Sequence, residues 1–141
     1  MPRRKYTSYD GSGYSVAIID SGYDRLHDNS SMIADYDFVS NDGNANSNSI
    51  KSHGGKVASV VREYAPDVNI IHLRALDESS GRGSPWDIED AMQWCITNAA
   101  RYNITCVNMS LGGDNIGISN QTGIFTNEIN TLYSMGIATV I

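Results

Sequence analysis

A chain of 141 residues, 40% apolar and 18% charged, is large enough to bury roughly two thirds of its unfolded surface and to form one domain with a real core. Its net charge of -6 offers no basic field to a nucleic-acid backbone, and no apolar run is long enough to span a bilayer. Nucleic acid and membrane are therefore set aside as partners.

The first segment, residues 1–15, is polar and reads as an extended N-terminal arm. Its basic cluster Arg3-Arg4-Lys5 reads as a solvated tail, and it lacks the apolar stretch of an export signal, which leaves an intracellular location open. Residues 16–141 read as the body of the domain. Val16-Ala17-Ile18-Ile19-Asp20 is an apolar run ending in a carboxylate, the pattern of a strand buried on both faces of a parallel sheet. Ser21-Gly22 turns the chain. Tyr36–Val39 is a second strand candidate, and Ser40–Ser52 is a loop dense in Asn, Ser, Gly and Asp, read as solvated and flexible in preference to a cation site.

From His53 the apolar period lengthens: Val57, Val60, Val61 and Tyr64 mark an amphipathic helix that Ala65-Pro66 ends. Val68–Leu76 is the next strand. Ser84 then serves as an N-cap, with Pro85 at the first helical position and Asp87 closing a box-like S-x-x-D. Ile88, Ala91, Met92, Cys95, Ile96 and Ala99 form one apolar stripe of that helix. Thr105–Met109 is a strand. A third helix is expected over Gln121–Met135, with Phe125, Ile129, Leu132 and Tyr133 inward, and Ile137–Ile141 begins another strand. The two cysteines, Cys95 and Cys106, read as buried free thiols.

Strand and helix alternate, which predicts an α/β fold: three layers, a mostly parallel sheet with helices on both faces. In such sheets ligands gather at the carboxyl ends of the strands. Three motifs fall at such ends: Asp20-Ser21-Gly22, His53-Gly54-Gly55 at a helix start, and Ser110-Leu111-Gly112-Gly113. No Walker motif is present, and Gly11-Ser12-Gly13 precedes the first strand instead of following it, so a nucleotide-binding reading finds no phosphate turn.

In this order the motifs resemble the subtilisin-like serine peptidase family (subtilases). Val16–Gly22 is similar to the segment around the family's catalytic Asp. His53-Gly54-Gly55-Lys56-Val57-Ala58-Ser59 is similar to its H-G-T-H-V-A-G segment, and Val107-Asn108-Met109-Ser110-Leu111-Gly112-Gly113 to its V-I-N-M-S-L-G-G segment. The resemblance implies an Asp-His-Ser triad in which Asp20 orients and His53 acts as general base. It implies that Ser110, Leu111 and Gly112 border a cleft where an extended polypeptide pairs as an added strand. Gly81–Ser84 would form the opposite wall. No cofactor is implied, and the family's calcium loop is not carried over, because the insertion that builds it is absent.

Lys56 replaces the family's second His and Gly55 its Thr, so packing beside His53 must differ. The family's oxyanion Asn and its G-T-S nucleophile segment have no counterpart here. The strand at Ile137–Ile141 therefore reads as a fold interrupted at its C-terminal end, with a missing C-terminal half as its partner, and the 141 residues are expected to be inactive alone. A peptide-binding pseudo-peptidase and one half of a split enzyme remain the alternatives.

Overall fold

The run Ala17-Ile18-Ile19 is fully buried because its strand, β1 (Ser15–Asp20), lies at the centre of a sheet and is covered on both faces. The computed structural model describes residues 9–112 and 125–141. Their strands pair in the order β2-β3-β1-β4-β5, with β2 (Met32–Asp37), β3 (Asn69–Arg74), β4 (Ile104–Asn108) and β5 (Ala138–Val140) all joined in parallel. Helix α1 (His53–Tyr64) covers one face. Helices α2 (Pro85–Tyr102) and α3 (Thr126–Ser134) cover the other.

Alternation along β1 divides its side chains between two cores. Val16 and Ile18 pack with Val57, Ala58, Val61, Val68 and Ile70 under α1. Ala17 and Ile19 join Ile71, Leu73, Met92, Val107 and Leu132 under α2 and α3. This is the expected three-layer arrangement.

Helix boundaries follow local chemistry. Ser52 caps α1, its hydroxyl accepting from Gly55 N at 2.9 Å, and the helix stops before Pro66, which disfavours helical geometry in the residue ahead of it. Ser84 caps α2 by accepting from Trp86 N at 3.2 Å, with Pro85 at the first position. Asp87 makes no return bond to Ser84 among the described residues, so the box-like S-x-x-D is not closed. Asn103 ends α2 with φ +50°, a left-handed conformation that Asn tolerates, and its side chain donates to Gly13 O.

Several expectations are corrected. The second strand is Met32–Asp37, not Tyr36–Val39. It is a half-exposed edge whose apolar residues are interrupted by Asp35 and end at Asp37, while Phe38 and Val39 enter a turn. There the Asp37 carboxylate accepts from Val39 N at 2.8 Å and Ser40 N at 3.0 Å. The loop after it is built rather than loosely solvated: Ala45 is fully buried, and Asp42, Asn44 and Asn46 each accept from the backbone N–H two residues on. The arm is not simply extended, since Tyr14 N donates to Gly11 O in a turn and Asp67 N to Asp10 O. Arg3-Arg4-Lys5 lies outside the described residues.

Of the predicted third helix, Gln121–Ile124 lies outside the described residues, and Thr126–Ser134 is helical. Leu132 takes the sheet-facing position, which turns its neighbour Tyr133 outward, 81% exposed. Cys95 is buried at the core of α2, and burial pushes its thiol up to about 12. Cys106 is only half-buried. Among the described residues no helix is long and apolar enough to cross a membrane.

Candidate active site

Asp20 ends β1, and the backbone there holds it in place. Its carbonyl accepts from Ala75 N at 2.9 Å and Leu76 N at 3.2 Å, and its carboxylate accepts from Ser21 N at 2.7 Å. The side chain is 1% exposed. His53 is the first residue of α1, and its Nδ1 lies 2.9 Å from both Asp20 carboxylate oxygens. A buried carboxylate facing Nδ1 keeps the proton on that nitrogen and leaves Nε2 the basic one in the neutral ring. The imidazole is 53% exposed, and among the described residues Nε2 has no hydrogen-bond partner.

The close approach of α1 to the end of β1 requires glycine. A Cβ on Gly54 would sit 2.2 Å from Gly22 O, and one on Gly22, at φ +85°, would sit 2.0 Å from Ala45 O. Gly54 N donates to Ser21 Oγ at 3.2 Å, closing the contact.

Behind this pair lies a buried polar cluster. Asp24 is 1% exposed and accepts from Leu26 N and His27 N, both at 2.8 Å, from Ser52 Oγ at 2.9 Å and from Ser52 N. His27 Nδ1 stands 2.9 Å away. Burial works to raise the Asp24 carboxyl, but the hydrogen bonds from His27 and Ser52 outweigh it and hold the group well below the usual carboxylate range. Because Ser52 is the cap of α1, this carboxylate fixes the turn from which His53 projects. A Cβ on Gly55 would meet Asp24 Oδ2 at 2.4 Å and His27 Nδ1 at 2.8 Å, so Gly55 leaves the room that this cluster fills. Lys56 faces solvent.

A cleft of about 270 Å³ opens over the pair. Its floor is Asp20, Ser21 and His53. The strand order places the end of β4 on one side, as Ser110, Leu111 and Gly112, and the chain after β3 on the other, as Leu76, Glu78 and Gly81. Asn108 Nδ2 donates to Ser110 Oγ at 2.8 Å and holds the first wall; Gly113 lies outside the described residues. The three motifs singled out from the sequence thus meet in one cleft. Within Gly81–Ser84, Gly81 lines it and Ser84 caps α2. Sequence reasoning missed Leu76, Asp24 and Glu78, whose carboxylate accepts from His53 N at 3.2 Å. For Asp24 a faint signal exists in the Asp-x-x-His spacing to His27; for Glu78 there is none.

Fold and site together define an α/β protein with a carboxylate–imidazole pair at the carboxyl ends of parallel strands. The subtilase (peptidase S8) family profile matches residues 11–140, and the chain belongs to that family. It is 30% identical to a thermophilic serine proteinase of Bacillus sp. (strain AK1), an alignment covering 99% of this chain and 36% of that one. It is 32% identical to subtilisin E of Bacillus subtilis (strain 168), covering 74% and 28%. The chain therefore spans about a third of the length of these curated relatives. The crystal structure of a cold-adapted subtilisin-like serine proteinase superposes with a TM-score of 0.74 at 29% identity, over 94% of this chain and 46% of that one. A lanthipeptide protease shares the fold, with a TM-score of 0.73 at 23% identity.

Proposed function

We propose that this chain forms the Asp–His half of the catalytic centre of a serine endopeptidase. The observation that carries the reading is the contact of His53 Nδ1 with both oxygens of buried Asp20, beside a cleft, with Nε2 unengaged among the described residues. In this reading Nε2 takes the proton of a serine hydroxyl as that oxygen attacks the scissile carbonyl, and returns it to the leaving amine. Asp20 holds the ring in the required tautomer and stabilises the imidazolium. The substrate is an extended polypeptide that pairs with the backbone of Ser110, Leu111 and Gly112 as an added strand.

We place the nucleophilic serine and the oxyanion Asn outside these 141 residues, which contain no G-T-S segment. Ser110 stands on the cleft wall, with Asn108 Nδ2 bonded to its Oγ, and Ser21 Oγ is engaged by Gly54 N. The test is hydrolysis of an unfolded protein by the full-length gene product. Asp20→Asn and His53→Ala should each lower turnover by at least about 10⁴-fold, the general scale for losing a member of such a triad. The 141 residues alone should release no fragments. Turnover by the purified 141-residue chain, or full activity in His53→Ala, overturns the assignment. Binding of unfolded peptides by a full-length product that never cuts them would favour the pseudo-peptidase alternative.

A further inference from the structure

Among the described residues, Glu78 is the one charged side chain on the cleft's walls, as opposed to its Asp20–His53 floor. It is half-buried, and Oε2 accepts from the backbone N–H of His53, which fixes the carboxylate at the start of α1. Among the described residues, neither a hydrogen bond nor an ion pair reaches Oε1. Among the described residues no Lys or Arg lines the cleft. Arg74, at the end of β3, is already paired with Asp37 at 2.9 Å and stands 3.9 Å from Asp77. Beside Glu78 on the same wall stands Leu76, apolar and 9% exposed. An aliphatic surface leading to a fixed, unneutralised carboxylate fits a side chain with an apolar stem and a cationic tip.

We propose that Glu78 is the specificity residue of this cleft and selects peptides carrying lysine or arginine at the position beside His53 on the β3 side. The proposal rests on the peptide-cleft reading above and adds the substrate class. A peptide extended along Ser110–Gly112 presents its side chains alternately to the two sides of its own strand. One near the scissile bond therefore points toward Leu76 and Glu78. Its ammonium or guanidinium meets Oε1, and its methylene stem covers Leu76. Glu78 also serves as a cap for α1, and the carboxylate can do both because it offers two oxygens.

The experiment scans peptides with lysine, norleucine or glutamate at each of the four positions before the scissile bond, using the full-length protein. At one position lysine should exceed norleucine in kcat/KM by about 10-fold, the scale of a charge-assisted hydrogen bond in a partly desolvated site. Glu78→Gln keeps the acceptor for His53 N but removes the charge, and should bring that ratio close to one. Glu78→Lys should make glutamate the preferred residue. In the unmodified protein the lysine preference should shrink between about 0.05 M and about 0.5 M salt, which needs no variant. A lysine ratio near one at every position, or a ratio that Glu78→Gln leaves unchanged, overturns the proposal and leaves Glu78 a helix cap only. If the full-length protein cuts none of the peptides, the peptidase reading fails. The charge preference is then read as the ratio of dissociation constants for the lysine and norleucine peptides, by fluorescence anisotropy on the same protein. Equal constants sink it in that case also.

Discussion

Under α2 and α3 the sheet presents Ala17, Ile19, Ile71, Leu73 and Val107, packed against Ile88, Met92, Cys95 and Leu132 in one continuous apolar cluster. Its main polar inclusion is Glu128, 4% exposed, which accepts from Gln93 Nε2 at 2.9 Å between the two helices. Under α1 the apolar cluster is small, and toward the carboxyl ends of the strands it gives way to buried polar groups: Asp24, Ser52 and His72. The first face gains stability from area removed from water. The second gives up some of that area to hold a helix start and an imidazole in fixed positions, at the end of the sheet where the cleft opens.

The comparison breaks first if truncation costs the same on both faces. Met92→Ala, fully buried under α2, should lower the unfolding free energy by about 2–5 kcal/mol. Val57→Ala, half-buried under α1, should cost about 1 kcal/mol. Chemical denaturation of both variants measures the difference.

A second difference is in pH dependence. His72 lies on the α1 side of β3, 1% exposed, with its ring 5.7 Å from that of Tyr23 and Nδ1 without a hydrogen bond among the described residues. Burial lowers its pKa to about 4, against a partial upward pull from Asp24. A depressed folded-state value means that the unfolded chain binds the proton first as pH falls. Stability is therefore unaffected by this group above about 6.5, and declines as pH drops toward 4. The loss is on the order of 3 kcal/mol. His72→Leu should flatten that part of the stability–pH curve.

The polar cluster gives a third test. Asp24→Asn keeps the shape but sets an amide N–H₂ against donors from Ser52 and His27. It should cost about 2–3 kcal/mol and, in the full-length protein, reduce turnover through misplacement of His53. A stable Asp24→Asn with unchanged turnover would show that the α1 face is not specialised for positioning. An effect as small as that of Val57→Ala is expected at Ser84→Ala, which removes one cap bond from α2 and should cost about 1 kcal/mol without touching the α1 face.

Legibility in the sequence followed burial and local chemistry. β1 was readable because both its faces are covered, and α2 because its cap, its proline and its stripe all agree. β2 was misplaced because Asp35 and Asp37 interrupt its apolar residues, and the apolar pair Phe38-Val39 drew the boundary past the turn at Asp37. Tyr133 was misjudged because apolar spacing in a short helix does not say which of two adjacent positions meets the sheet.

The sequence by itself determined the alternation of strands and helices, and the placing of Asp20, His53 and Ser110-Leu111-Gly112 at strand and helix ends. Those features depend on periodicity, capping and turn residues, which act over a few positions along the chain. Only the tertiary structure decided that Asp24 grips Ser52 across 28 positions, that Gly55 leaves the space for it, and that Glu78 meets the start of α1 across 25. Such contacts depend on which loops the strand order β2-β3-β1-β4-β5 brings to one edge, and no local pattern encodes that order.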